Sequence, residues 1–262
     1  MIILEIINVI NQKKRVLIVT DEASFEVSLN TWARNYLRKG MIISKEDAKR
    51  FCEETRFDFL IEDGYAFLKT PKSQRELMEF LQKKDIELAN EAFAYFVSRG
   101  YVDDLKYANN FVLINRNKKG RNFISNELSN KGIDEDIILE ALSNITDDDE
   151  RELLNSIVRK ELSLYHSGSI EGFKQKIINK LIGKGFSIFF VKKIVEENSK
   201  ILDNIDEGVS AKREYQVLEK RLEKKYQGKD LENKIIGSML NKGYSMEMIR
   251  KVRGDLNESK EG

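Results

Sequence analysis

"ELSNKGIDEDIILEAL", residues 127–142, returns in altered form as "KLIGKGFSIFFVKKIV" at 180–195 and "SMLNKGYSMEMIRKVR" at 238–253. Each copy has a hydrophobic residue, two spacers, Lys-Gly, an Ile or aromatic residue, and then an apolar-periodic run. The pattern predicts a helix, a tight turn and a second helix. A lysine at a helix C-terminus complements the partial negative charge of the last carbonyls. Gly132, Gly185 and Gly243 take the left-handed conformation that stops the helix, and Ile133, Phe186 and Tyr244 pack back onto it. Asp134, Ser187 and Ser245 are positioned to cap the next helix. A fainter copy at 76–96 carries Asp85 in place of the glycine, and an Asp can occupy a left-handed turn at some cost.

Preceding periodic stretches at 104–116, 147–167 and 206–227 supply a first helix to each copy. The fold class is therefore mainly α: tandem three-helix, helix-turn-helix-like repeats. Units this small bury little alone, so neighbours must stack. The first thirty residues differ. "ILEIINVI", "RVLIVT" and "SFEVSL" are β-rich runs separated by turn-like "NQKK" and "DEA", which predicts three strands in a small meander. Such a sheet needs cover, and "LNTWARNYLRKG" is read as a short helix capped by Asn30 and ended by Gly40. Ser44 and Asp47 form a near capping box for the helix that follows. The boundaries are 1–43 for a β-containing module with a short helix, 44–102, 103–145, 146–202 and 203–256 for four helical repeats, and 257–262 for a disordered tail.

Lys+Arg number 45 against 44 Asp+Glu, a net charge of +1. That excludes a uniformly basic chain and leaves segregated charged faces. No run reaches the roughly 20 apolar residues of a membrane span and no signal-peptide pattern is present, so a cytoplasmic location is expected.

Little in the chain points to catalysis. His166 is the only histidine and Cys52 the only cysteine, which rules out His-paired metal sites and internal disulfides. No phosphate-binding glycine loop occurs. The acidic run "TDDDERE" at 146–152 and the pair Asp103-Asp104 read as helix N-terminal charge and caps. No catalytic, metal or cofactor residues are assigned. Tyr101, Tyr107, Phe111, Phe123, Phe186, Phe189 and Phe190 fall at helical spacing and are expected in the core. Basic residues recur beside the turns: Lys118, Lys119, Arg121, Lys131, Lys184, Lys192, Lys193, Lys242, Arg250 and Lys251. Two readings stay open. These charges complement helix ends one by one, or they align into a stripe that meets a phosphate backbone or an acidic protein surface.

The ordered set Gly100-Tyr101-Val102-Asp103-Asp104, Ala108, Gly120, Glu127-Leu128, Lys131-Gly132-Ile133 and Ala141-Leu142 resembles the RecX family, regulators of the bacterial RecA recombinase. The looser copies at Lys184-Gly185-Phe186 and Lys242-Gly243-Tyr244 extend the likeness to nearly the whole chain. Thr70-Pro71 and Asp85 depart from the family pattern. The resemblance implies a curved, elongated array that binds in the helical groove of a RecA filament on single-stranded DNA. It implies a non-enzymatic, cofactor-free role restraining ATP hydrolysis, strand exchange and co-protease activity. The basic residues above are then the candidate contacts to RecA or DNA, and a monomer is expected. The rival reading is a helical-repeat nucleic-acid-binding protein that acts without RecA.

Overall fold

A computed structural model describes residues 3–261. The chain forms two compact units: residues up to Asn110 with Leu128–Leu139, and Phe111–Glu127 with the chain from Glu140 onward.

The first unit opens with β1 (Ile3–Gln12), β2 (Arg15–Thr20) and β3 (Ser24–Ser28), the expected meander. A fourth strand, β4 (Ile42–Ser44), pairs antiparallel with the start of β1, giving the order β3-β2-β1-β4. Three residues are too few to show a period, so β4 is not visible as a strand in the sequence. α1 (Leu29–Arg34) is shorter than expected and is capped by Ser28, not Asn30: the Ser28 Oγ accepts from Thr31 N–H at 2.9 Å. It stops well before Gly40, with Asn35 as its last cap and Tyr36 at positive φ.

α2 (Lys45–Phe67) starts at the Ser44–Asp47 capping box, with both reciprocal bonds made. Its N-terminal half drives Phe51 among Leu4, Ile6, Val16, Ile18, Val27 and Ile43, and so covers the sheet. Its C-terminal half sets Leu60 and Ile61 against Leu77, Leu81 and Phe96 of α3 (Gln74–Lys84) and α4 (Ala89–Ser98). Asp85, between these two helices, is not left-handed: its φ is −153°. Its carboxylate instead accepts from the N–H groups of Glu87 and Leu88 and pairs with Arg56. An Asp can close a turn by accepting from the backbone N–H groups two and three residues on, at lower cost than by adopting αL.

α5 (Asp104–Asn115), α6 (Arg121–Asn130) and α7 (Glu135–Leu142) follow, and bury Ala108, Val112, Ile124, Leu128, Ile133, Ile138 and Ala141. The second unit continues with α8 (Asp147–Leu162), α9 (Ile170–Ile182) and α10 (Ile188–Asn198), packed on Leu154, Val158, Leu162, Leu181, Phe186 and Ile194. α11 (Gly208–Leu222), α12 (Gly228–Asn241) and α13 (Met246–Glu261) share Tyr215, Leu218, Met239, Tyr244 and Ile249. The first helices of these two repeats end at Leu162 and Leu222, earlier than the periodicity predicts. Ser163, Ser167 and Gly168 (φ 102°) break the first, and Gly228 follows the second. α13 runs through residues 257–261, correcting the expected disordered tail. That stretch holds no glycine or proline to stop it, and Gly262 lies outside the described residues.

The three Lys-Gly turns have the geometry their spacing predicts. Gly132, Gly185 and Gly243 sit at φ 75°, 85° and 92°. The residue after each glycine donates its N–H back five residues, Ile133 to Leu128, Phe186 to Leu181 and Tyr244 to Met239, at 3.1–3.2 Å. These 6→1 bonds are the Schellman stop, and the three donors are buried. Of the expected caps, Ser245 accepts from Met248 N–H at 3.1 Å, whereas Ser187 makes no side-chain cap bond.

Candidate binding surfaces

Each Lys-Gly turn also docks on the N-terminus of the middle helix of the preceding repeat. The Lys131 carbonyl accepts from Ser73 Oγ at 2.7 Å, at the start of α3. The Lys184 carbonyl accepts from Gly120 N–H at 2.9 Å and the Gly185 carbonyl from Asn122 N–H at 3.2 Å, at the start of α6. At the start of α9, a Cβ on Gly172 would overlap the Lys242 carbonyl. In each joint the negative end of one helix meets the positive end of another.

A carboxylate completes every joint. Asp104 accepts from Gln74 N–H at 2.8 Å, Glu150 from Arg121 N–H at 2.9 Å, and Glu207 from Ile170 N–H at 2.7 Å. Each belongs to the start of the first helix of the following repeat, or lies one residue before it, so one repeat caps the middle helix of its predecessor. The acidic run 146–152 is thereby explained. Thr146 and Asp149 form a capping box, and Asp147 and Glu150 hold Arg121.

These joints decide which basic residues are free. Arg121 pairs with Asp147 and lies 3.6 Å from Glu150 through its buried Nε. Lys131 pairs with Glu76 at 2.6 Å, and Lys242 with Glu214 at 3.1 Å. Lys119 lies 3.9 Å from the Phe123 ring centroid. Lys118, Lys192, Lys193, Arg250 and Lys251 are exposed and Lys184 is half-buried. The recurrence of Lys beside the turns is therefore partly architectural, with Arg121, Lys131 and Lys242 already held by carboxylates.

The aromatic residues also divide. Phe186 is 2% exposed, but Phe189 and Phe190 are 69% and 40% exposed, with Ile188 beside them at 54%. Four consecutive apolar residues cannot all face inward on a helix that turns 100° per residue. Val191 takes the core position, leaving Ile188, Phe189 and Phe190 as an apolar patch at the start of α10, next to Lys192 and Lys193. Tyr101 is half exposed as well, stacked edge-on against Tyr65.

Charge within the first joint is uneven. Burial pushes the Asp104 carboxyl above its ordinary range, reinforced by Asp134, Asp103 and Glu76 and opposed by the Gln74 N–H. Burial also acts upward on Glu76, but the Lys131 ammonium and the Ser73 N–H outweigh it, so its pKa is lowered. The two have opposite linkage. Glu76 contributes stability above its unfolded pKa that is lost as pH falls. Ionised Asp104 is disfavoured by the fold, and that cost disappears as pH falls through its raised value. Asp104→Asn keeps an oxygen for Gln74 and removes the charge. It is expected to leave the melting temperature equal or higher at pH 7, with the difference shrinking towards pH 4. Thermal melts across that range check this, and a variant destabilised equally at both pH values would contradict it.

Residues 103–142, which span α5 to α7, match the family model for the second three-helix domain of RecX. The chain is similar to RecX proteins there and over most of its length. Regulatory protein RecX of Streptococcus sanguinis is 27% identical over 248 residues, covering 92% of this chain and 95% of its own. The RecX of Listeria monocytogenes serovar 1/2a is 24% identical over 251 residues, covering 92% and 91%. A crystal structure of regulatory protein RecX superposes with a TM-score of 0.59 over 74% of this chain and 99% of its own, at 22% identity, a likeness of fold. These relatives are named regulatory proteins. No helix among the described residues is long and apolar enough to cross a membrane.

Proposed function

We propose that this chain is a non-enzymatic, monomeric modulator of RecA of the RecX family. It binds the RecA–single-stranded DNA filament in its helical groove in the cytoplasm and restrains ATP hydrolysis, strand exchange and the co-protease activity of the SOS response. In that role it acts in DNA repair and homologous recombination. The observation that carries the reading is the family likeness, which runs over more than nine-tenths of the chain in relatives named for RecX.

The apolar patch Ile188-Phe189-Phe190, bordered by Lys192 and Lys193, is the surface best suited to the protein component. Aromatic anchors dominate protein interfaces and a polar rim surrounds them. Lys118, Lys119 and Lys184 belong to the same compact unit and supply further positive charge, as do Arg250 and Lys251 on α13. Arg121, Lys131 and Lys242 serve the fold first.

Phe189→Ala is expected to weaken binding to RecA filaments at least tenfold, as an interface anchor does. Its melting curve should barely move, because the ring is 69% exposed. Co-sedimentation with filaments formed on single-stranded DNA measures this. Unchanged affinity would remove the patch from the interface.

A further inference from the structure

A dense group of unpaired cations lies away from the Lys-Gly turns. Residues 219–229 read "EKRLEKKYQGK", five cations and two carboxylates in a chain whose net charge is +1. Lys220 and Arg221 close α11. Lys224 and Lys225 follow in a turn that keeps the helical path, since Tyr226 N–H donates to the Leu222 carbonyl at 3.0 Å. Lys229 stands in the first turn of α12. All five are exposed, and none forms an ion pair among the described residues. This contrasts with Lys131, Lys242 and Arg121, each of which has found a carboxylate.

The helical phase sorts the charges. Ala211, Tyr215 and Leu218 of α11 face the core. At 100° per residue, Lys220 and Lys224 fall opposite that face, with Arg221 and Lys225 on one flank of it. Glu219 and Glu223 lie on the other flank. Lys220 to Lys224 and Arg221 to Lys225 are each one i,i+4 step, about 6 Å along the axis. Dipole complementation at the end of α11 accounts for one or two cations within the last turn, not for five.

We propose that this corner between α11 and α12 is a direct contact for the phosphate backbone of single-stranded nucleic acid. Its composition favours phosphate over a protein surface. Four of the five cations are lysines, which are depleted in protein interfaces and act on phosphate as point charges. No apolar anchor like Phe189 stands among them: Val217 is exposed but isolated, and Tyr226 is half-buried with Lys234 over its ring. The inference deepens the proposed role by giving the two components of a filament separate surfaces, α10 for protein and the α11–α12 corner for DNA. It does not depend on RecA being the partner, because it concerns DNA alone.

The test is fluorescence anisotropy of a labelled oligothymidylate with the full chain and no RecA, titrated between 50 and 200 mM salt. The variant carries Lys220→Glu, Arg221→Glu, Lys224→Glu and Lys225→Glu. A control carries Arg38→Glu, Lys39→Glu, Lys69→Glu and Lys83→Glu, exposed cations of the other unit. Each set of four reversals takes the net charge from +1 to −7, since each reversal subtracts two. Four lost phosphate contacts should make the log affinity against log salt slope shallower by about 2.8, so that over this range the unaltered chain loses roughly 50-fold more affinity than the variant. The control should retain most of the slope, and circular dichroism should show both folded. Equal loss in the control would attribute binding to net charge and overturn the proposal. So would an unchanged slope in the corner variant, or displacement of the DNA by polyglutamate at equal charge concentration. Failure of RecA inhibition with this DNA binding intact would count against the proposed function and leave the corner standing.

Discussion

Gly185→Val is expected to destabilise the second unit by more than about 3 kcal/mol in a urea or thermal denaturation. Two independent costs meet at this position. The left-handed backbone at φ 85° costs an L-residue about 1–2 kcal/mol, and a β-branched residue more. The added Cβ also falls on the backbone of Phe123 at the start of α6, where nothing flexible can yield, and overpacking typically adds about 1–3 kcal/mol. Gly228 provides the comparison. Its φ is 52°, yet no atom stands within 4 Å of the place an added methyl group would take, so Gly228→Ala carries only the conformational cost of about 1–2 kcal/mol. Equal losses at the two sites would mean that Gly185 serves only to end its helix and that the joint contributes nothing.

Glu150→Ala is expected to cost about 2–4 kcal/mol, unusual for a residue on a helix surface. One oxygen caps α6 through the Arg121 N–H at 2.9 Å, and the other faces the buried Arg121 Nε at 3.6 Å. Losing a cap costs about 0.5–2 kcal/mol, and leaving a part-buried guanidinium without the more buried of its two carboxylates adds to this. Glu150→Gln retains an oxygen for the cap and should recover part of the loss. The contradicting result is an alanine variant within about 0.5 kcal/mol of the unaltered chain, as at an ordinary surface site.

The repeat architecture is legible because each Lys-Gly turn is local: its glycine, its buried follower and its 6→1 bond lie within six residues. The meander is legible for the same reason, through alternation and turn residues. What the sequence conceals is mostly long-range. β4 has three residues and acquires its identity only from pairing with β1. Asp85 has two local options, and closing the turn after α3 with its own carboxylate prevails over a left-handed backbone. The joints depend on which helix end each turn meets, although Gly120 and Gly172 leave a trace. A glycine at the beginning of a helix, where no stop is required, marks a close backbone approach.

Among the candidate contacts, types and positions are readable but freedom is not. Arg121, Lys131 and Lys242 look like Lys118 or Lys192 in the sequence, and only the placement of Asp147, Glu150, Glu76 and Glu214 separates them. The exposure of Phe189 could have been inferred, since "IFFV" offers four apolar residues to a helix face that accepts one or two. The charge of 219–229 is plain to read, but a solvated run and an unpaired surface differ only once the ion pairs are known.

The central claim, that this chain restrains RecA, is tested most directly by the steady-state ATPase of RecA on single-stranded DNA with increasing amounts of the protein. The expected result is a progressive fall in the rate that is largely complete when the chain is still substoichiometric to RecA, with Phe189→Ala shifting the titration to higher concentration. An unchanged rate at stoichiometric excess of the folded chain would contradict it.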